Sequence, residues 1–434
     1  MIECQDRIIV SDTHIRCKRI EAITGQTHWL VPTVCARCTD EWIAQKAAEL
    51  TASVQSARAA SAVPQFSMVL PCCEEDPAEV AATIQSARQF GAGEVILVDD
   101  ASETQRYDDC GADVLIRNRE RLGVVGSRGV GAQAAGKPVV VVSDAHCRYT
   151  AGLPWLAHYA LSARGLICAA VASLETGRIH GFGAKLLYKR TDPKVVWKYV
   201  SRPPAERLSP ITGLIGSVYA IRRDVLKFMG GWPPLGLWGY SECAMALQCH
   251  VMGVPMYVAR DALIYHRYRK RFPFKVPHKE IECSAIVVHN LLFEPATLEK
   301  QNPRFRRRYP KAYQRAMELL KRPQLRAFRD HVQANRVRND HEVYQIIRRG
   351  DFSADAERIE QYVQQCLRCR YCTTEKLDQS AEVPALVRGA GNLIHGVLGR
   401  LGVKALRCTK CGCFVRLKRP LFLMRDCKHF EAKP

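Results

Sequence analysis

The residues best suited to chemistry in this 434-residue chain gather where short apolar runs stop. FSMVLP (66–71) runs into Cys72, Cys73, Glu74 and Glu75. EVILVDD (94–100) closes on Asp99 and Asp100, and PVVVVSD (138–144) closes on Asp144, with His146 two residues further on. An Asp-x-His pair offers a carboxylate oxygen and an imidazole nitrogen, a donor set that suits a divalent cation bridging phosphates. The carboxylates of the other two ends can bind the ribose or base of a nucleotide. Between the second and third runs, NRERLGVVGSRGVGAQAAGK carries Arg128 in a Gly-rich stretch. In a chain with 64 Lys and Arg against 43 Asp and Glu, net charge +21, carboxylates repeated at successive run ends point to one shared crevice.

The elements that must position these groups are legible in the pattern. Apolar β runs alternate with helical stretches such as PAEVAATIQSARQ, the mark of an α/β sheet. Ligands of open α/β sheets bind at the carboxyl edge of the strands. The chain divides into residues 1–50, rich in Cys with short β-like runs; a small-residue connector, 51–63; the α/β block, 64–277; a basic helical region, 278–360; and a Cys-rich end, 361–434. No internal repeat is evident, and no run of eighteen apolar residues exists that would span a membrane. The opening MIECQDRIIV lacks the basic-then-apolar plan of a signal peptide, so the expectation is a cytoplasmic chain in a reducing compartment.

The order P-x-x-x-E, VDDAS, GSRxxGAxxAxG, DAHC and PWL resembles the GT-A glycosyltransferases of the family-2 type. DAHC is closer to the D-S-H-C of the polypeptide GalNAc-transferases than to the usual D-x-D. Downstream, TGLIGSVYAIRRDVLKFMGGWPPLGLWGYSE and IYHRYRKRFPFKVP are similar to that group's Gly-rich, W-G-G-E-N and H-V-F-R-K-x-x-P-Y segments. The resemblance covers 64–277 and implies a Rossmann-like, nucleotide-sugar-binding GT-A domain that uses a UDP-sugar and Mn²⁺ or Mg²⁺. It implies Asp144, His146 and His266 as metal ligands. It further implies Pro71, Glu75, Asp99 or Asp100, and Arg128 at the nucleoside, Arg269 at the diphosphate and Trp238 lining the donor pocket. Where the family reads W-G-G-E-N this chain reads Trp238-Gly-Tyr240-Ser241-Glu242, with the carboxylate one position later. Glu242 is then a pocket residue more than a general base, and DAH with the YHRYRK segment points to retention of configuration.

The competing use of Asp99 and Asp100 is capping of the next helix. Cys72, Cys73, Cys147, Cys243 and Cys249 sit in apolar or helical settings and read as small buried hydrophobes. The remaining thiols have metal-ligand spacing. Cys4, Cys17, Cys35 and Cys38 form C-x12-C-x17-C-x2-C, and Cys408, Cys411, Cys413 and Cys427 form C-x2-C-x-C-x13-C. Cys366, Cys369 and Cys372 lack an obvious fourth ligand, with His395 and His429 available; a ribbon pairing Cys369 and Cys372 with Cys408 and Cys411 is the alternative. Structural zinc is expected at both ends.

RFRRRYPK (304–311), RYRKRFPFK (267–275) and the basic C-terminal stretch interleave cations with aromatics, a composition that suits a nucleic-acid backbone. The leading expectation is therefore sugar transfer to a hydroxyl on nucleic acid, such as a hydroxymethylated pyrimidine in DNA. The runner-up is protein O-glycosylation at Ser or Thr. A third reading is a non-catalytic, zinc-dependent nucleic-acid-binding protein on the same scaffold.

Overall fold

The computed structural model describes residues 65–189, 192–235, 239–269, 273–274 and 280–350, Ile20 and residues 44–45, with the backbone of five short strands outside that block. Its centre is a ten-stranded mixed sheet. Strands β3 (Phe66–Cys72), β4 (Ala92–Asp99), β5 (Val114–Arg117) and β6 (Val139–Ser143) lie parallel in the order β5-β4-β3-β6. The three apolar runs are thus neighbouring strands. They are buried on both faces, as parallel strands must be. Val69 and Val142 pack into one core layer, and Met68, Leu70 and Val141 into the other. Helices α1 (Pro77–Gln89) and α2 (Gly123–Ala134) cross between them. α2 comes close enough to the sheet that a Cβ on Gly131 would meet Val69 Cγ1 at 2.4 Å.

The chain leaves β3 toward β4 and β5, then returns to place β6 on the other flank of β3. Adjacent strands therefore send their connections opposite ways, and a crevice opens at their carboxyl ends. Beyond β6 the sheet continues through antiparallel β13 (Val218–Arg222) to β8 (Leu166–Ser173), which runs parallel to β14 (Met256–His266). β12 (Leu208–Pro210) closes that edge, β7 (Cys147–Arg148) pairs with β14, and β9 (Ile179–Phe182) pairs with β8. Helix α3 (Leu153–Ala163) packs on β13 and β14. A separate hairpin, β10 (Ala184–Tyr188) with β11 (Val195–Tyr199), stands beside the sheet.

Helices α4 (Arg223–Met229) and α5 (Ser241–Val251) follow β13. After β14 the described chain is helical: α6 (Glu280–Leu292), α7 (Pro295–Arg308), α8 (Pro310–Leu319), α9 (Pro323–Asn335) and α10 (Asp340–Arg349). Pro at the first turn starts α7, α8 and α9, and Asn339 with Glu342 forms a capping box on α10. Val287, Leu291, Phe305, Val332 and Ile347 share one core with Val142, Cys168 and Tyr219 of the sheet. The helical layer is therefore built onto the α/β block. Among the described residues no helix is long and apolar enough to cross a membrane.

Outside that block, β1 (Arg7–Ser11) pairs with β2 (His14–Cys17), and β16 (Leu406–Cys408) pairs with both β15 (Cys372–Thr374) and β17 (Phe414–Val415). The β15–β16 register sets Cys372 opposite Cys408. The other expected zinc ligands lie outside the described residues, apart from Cys17 at the end of β2.

Candidate active site

A cavity of about 850 Å³ opens at the carboxyl ends of β3 and β6. Asp144 follows β6, His146 lies between β6 and β7, and His266 ends β14. His146 Nε2 lies 3.1 Å from His266 Nε2, and that nitrogen lies 3.2 Å from Asp144 Oδ2. One donor atom from each residue lies within 4.8 Å of the other two. Adjacent ligands of an octahedral cation with bonds of about 2.1 Å are about 3 Å apart. The donor set and its spacing therefore fit a hard or borderline divalent ion such as Mn²⁺ or Mg²⁺.

Two arginines stand beside the triad. Arg128, 2% exposed, donates from Nη2 to Asp144 Oδ1 at 3.2 Å and to the Gly216 carbonyl at 2.9 Å. Burial would raise the Asp144 carboxyl, but the His266 hydrogen bond and the Arg128 charge outweigh it and bring its pKa down to about 2. Glu75 is also buried. It accepts both arms of the Arg269 guanidinium, with Nη1 at 2.7 Å, and faces His146 Nδ1 at 3.4 Å. Desolvation opposes its charge, yet hydrogen bonds from His146 and Arg269 hold its pKa below the usual value.

The neighbouring aspartates divide. Asp100 lines the cavity and accepts from the Leu122 and Gly123 amides at 2.8 and 2.9 Å, so it holds the start of α2. Asp99 is fully buried outside the lining, and accepts from Ser102 N at 2.9 Å and Arg117 Nε at 3.0 Å. Of the two, only Asp100 lines the cavity. Pro71, Glu75, Arg128, Asp144, His146, Glu242, His266 and Arg269 all share the cavity, while Trp238 lies outside the described residues.

Glu242 sits in the first turn of α5, against Gly216, where a Cβ would fall 2.0 Å from Glu242 Oε1. Tyr240 precedes this helix with φ +65°, a left-handed conformation that is strained for a bulky side chain. Its hydroxyl donates to the Val195 carbonyl at 2.8 Å and lies 3.3 Å from His289 Nε2. His289 Nδ1 meets Gln301 Oε1 at 2.8 Å. Burial lowers the His289 pKa to about 4, so the ring is neutral at pH 7.

Arg121, Lys194, Trp197 and Phe274 are among the lining residues that the sequence reading gave no role. Arg121 lies 5.9 Å from the Phe274 ring centroid. Phe274 stands where the resembling segment has its second aromatic, a signal that could have found it. Lys194 and Trp197 belong to no motif. A string of rings runs from Trp197 toward the triad: Trp197–Tyr199 at 4.7 Å, Tyr199–His180 at 6.3 Å, His180–Tyr268 at 3.9 Å and Tyr268–His266 at 4.6 Å. Cys72, Cys147, Cys243 and Cys249 are buried with raised pKa values, and burial pushes Cys73 up to about 11. None is a thiolate nucleophile at neutral pH.

Residues 67–227 match glycosyl transferase family 2. The chain is 24% identical over 242 residues to polypeptide N-acetylgalactosaminyltransferase 10 of Mus musculus, covering 50% of this chain and 40% of the relative. It is 27% identical over 198 residues to N-acetylgalactosaminyltransferase 6 of Drosophila melanogaster, covering 41% and 29%. The chain thus spans well under two thirds of these relatives' length. GalNAc-T7, solved with UDP, GalNAc and Mn²⁺, superposes with a TM-score of 0.51 at 17% identity, over 68% of this chain and 57% of that one. The motif order, the strand-end triad and these likenesses converge: residues 67–227 form a glycosyl transferase family 2 domain on the GT-A fold, homologous to the GalNAc-transferases.

Proposed function

We propose that the protein transfers a sugar from a UDP-sugar to an acceptor hydroxyl, with a divalent cation held by Asp144, His146 and His266. The observation that carries this reading is the convergence of those three donors beside Arg128 and Arg269 in one cavity. When bound, the cation supplies positive charge against the diphosphate as the leaving group departs. Arg269 reaches the diphosphate by exchanging its Glu75 partner for phosphate oxygens. Asp100, Arg121 and Phe274 line the side that receives the nucleoside, and the wall bearing Lys194, Trp197 and Glu242 faces the acceptor. The bond from the anomeric carbon to the β-phosphate oxygen breaks, and a bond from that carbon to the acceptor oxygen forms. The acceptor proton leaves with the phosphate, so no side chain is needed as base and configuration is retained. Glu242, held against Gly216, shapes the acceptor side of the cavity.

Two acceptor classes follow. Nucleic acid, as in a hydroxymethylated pyrimidine, is supported by the +21 charge and the basic helical layer. A Ser or Thr hydroxyl of a protein is supported by the names of the relatives. Incubating the protein with Mn²⁺, a panel of UDP-sugars, and either hydroxymethylated DNA, plain DNA or Ser/Thr peptides tests both by mass shift. A shift on one acceptor alone identifies it, and no UDP release with any donor overturns the transferase reading.

Zinc in the terminal modules remains part of this reading. The Cys372–Cys408 register supports the ribbon of Cys369, Cys372, Cys408 and Cys411. Elemental analysis is expected to find at least two zinc ions per chain, and Cys411→Ser to lose one. A folded, active preparation without zinc would remove the assignment.

A further inference from the structure

The helical layer holds a second cavity of about 860 Å³, between α7, α8 and α9. Arg306, Arg307 and Arg329 line it together with Asn302 and Tyr313, and Glu299 is the lining carboxylate. None of these three arginines has an ion-pair partner among the described residues, although Arg315 and Lys321 nearby are paired with Glu280 and Glu318. Residues 295–335 carry eleven Lys and Arg against three acidic residues. Unpaired guanidinium groups converging on a groove form a site for an anion with several charges, since each adds repulsion until a counter-charge arrives.

The segment between the groove residues Arg307 and Pro310 reaches a residue of the active-site cavity. Tyr309 links α7 to α8, directly after Arg308, whose guanidinium lies 5.6 Å from its ring. The Tyr309 hydroxyl donates to Asp192 at 2.9 Å, and Lys194 Nζ stands 4.9 Å from the same ring centroid. Lys194 lines the active-site cavity, and so does Trp197, the exposed large hydrophobic among the described residues at 36%. Cations and rings therefore alternate from the groove to the catalytic cavity: Arg306 and Arg307, Tyr309, Lys194, Trp197. Alternation of that kind suits a single-stranded nucleic acid, whose phosphates and bases alternate likewise. An acidic peptide would match the charges but leave the rings without stacking partners.

We propose that this groove and the Tyr309–Lys194 lip form a track that holds single-stranded nucleic acid and delivers one nucleotide into the cavity. The proposal rests on the nucleic-acid reading of the acceptor and is separable from the donor chemistry. The test uses the full-length chain and a labelled oligothymidine of about twenty nucleotides, titrated at about 50 and 200 mM salt. Replacing Arg306, Arg307 and Arg329 with Gln should weaken binding at least tenfold at the lower salt. It should also flatten the log–log salt slope by about 2, from roughly 0.7 per phosphate contact. The corresponding triple Lys variant should keep the slope, which a merely structural role for the arginines would not predict. Arg306→Gln/Arg307→Gln alone, on the exposed end of α7, gives the same readout with a smaller slope change if the triple variant folds poorly. Titration of UDP with Mn²⁺ should be unchanged in all of them. Wild-type affinity and slope in the Gln variants overturn the track, and so does competition by polyglutamate as strong as by unlabelled oligothymidine. A wild-type chain that binds no UDP with Mn²⁺ instead overturns the donor reading.

Discussion

The two walls of the catalytic cavity are built on different principles. One wall comes from the ends of β3, β4 and β6, where Glu75, Asp100, Asp144 and His146 stand within a few residues of a strand end, and from α2, which supplies Arg128 from its middle. The other comes from β11, the Tyr240 turn and the start of α6, supplying Lys194, Trp197, Glu242 and Ile281 from distant segments. The first wall uses rigid buried strands to fix charge. The second depends on contacts between the sheet, a free-standing hairpin and the helical layer, with the Val195–Tyr240–His289–Gln301 chain as their tie. Chemistry that must be placed to within half an ångström belongs on the first kind of wall, and recognition that varies with the acceptor belongs on the second.

The sharpest way to break this comparison is to remove a metal ligand. His146→Ala is expected to lower transfer at least about a thousand-fold, since several kcal/mol of charge stabilisation is lost at about 1.4 kcal/mol per decade. EDTA should do the same and Mn²⁺ reverse it in the wild type. Asp144→Ala should match that loss in rate and also lower Tm, because it leaves the buried Arg128 without its carboxylate. The Arg128 contact makes thermal melting of the pair a direct check, and full activity in chelator would remove the triad from the mechanism.

The second wall is expected to fail first in acid. His289 has its pKa lowered to about 4 by burial, from 6.5. The unfolded chain therefore binds a proton between those values that the folded chain does not. That contribution to stability is intact above about pH 6.5 and is lost as pH falls toward 4, in total of order 3 kcal/mol. The ring meets the Tyr240 hydroxyl, the Gln301 amide and the Val195 N–H, and the charges of Asp340 and Asp192 act on it against the effect of burial. His289→Gln should flatten Tm against pH across this window. An unchanged profile would show that the tie does not titrate. Asp144, by contrast, has a lowered pKa, so its stabilisation is present above 3.8 and disappears only as pH falls toward about 2.

Gly216→Ala tests where the walls meet. The new Cβ would stand 2.0 Å from Glu242 Oε1, so the carboxylate must move. A cost of about 1–3 kcal/mol is expected, with transfer reduced and UDP affinity unchanged. Equal losses in donor binding would place Glu242 on the donor side. The smallest effect is expected from Trp197→Ala, because the side chain is 36% exposed and supports little of the core. It should raise the acceptor KM about tenfold, as loss of one stacking platform does, and leave the donor KM and Tm nearly unchanged. A donor KM that rises instead would exchange the roles of the two walls.

Much of the first wall was legible because its signals are local. A buried parallel strand reads as a continuous apolar run, and its end is marked by the polar residue that follows. Three such ends sufficed to anticipate carboxylates around one crevice, while Glu75 and the Asp99–Asp100 pair were assigned to the nucleoside by the family resemblance. The choice between Asp99 and Asp100 was not legible. Successive residues at a strand end point to opposite sides, and which side holds the ligand depends on where α2 and β5 pack. Capping and a place in the cavity are not alternatives, since Asp100 both holds the α2 amides and lines the cavity. Lys194 and Trp197 carry no motif at all. Their role depends on the hairpin's position over the sheet edge.

What the sequence by itself supplied is three of the parallel strands with helical stretches between them, the strand ends that carry carboxylates and, through the family resemblance, Asp144, His146 and His266 as the candidate donor set. Each follows from short-range periodicity and from the ordered motifs of one family. What only the tertiary structure decided is the pairing across the chain. Arg269 holds Glu75 from 194 residues away, Arg128 reaches Asp144 and the Gly216 carbonyl, and His266 comes within 3.2 Å of Asp144. These contacts close only when β13 and β14 insert beside β6 and β8 and the helical layer buries its apolar face on the sheet. Packing of that kind is a property of the whole core, and no window of local sequence contains it.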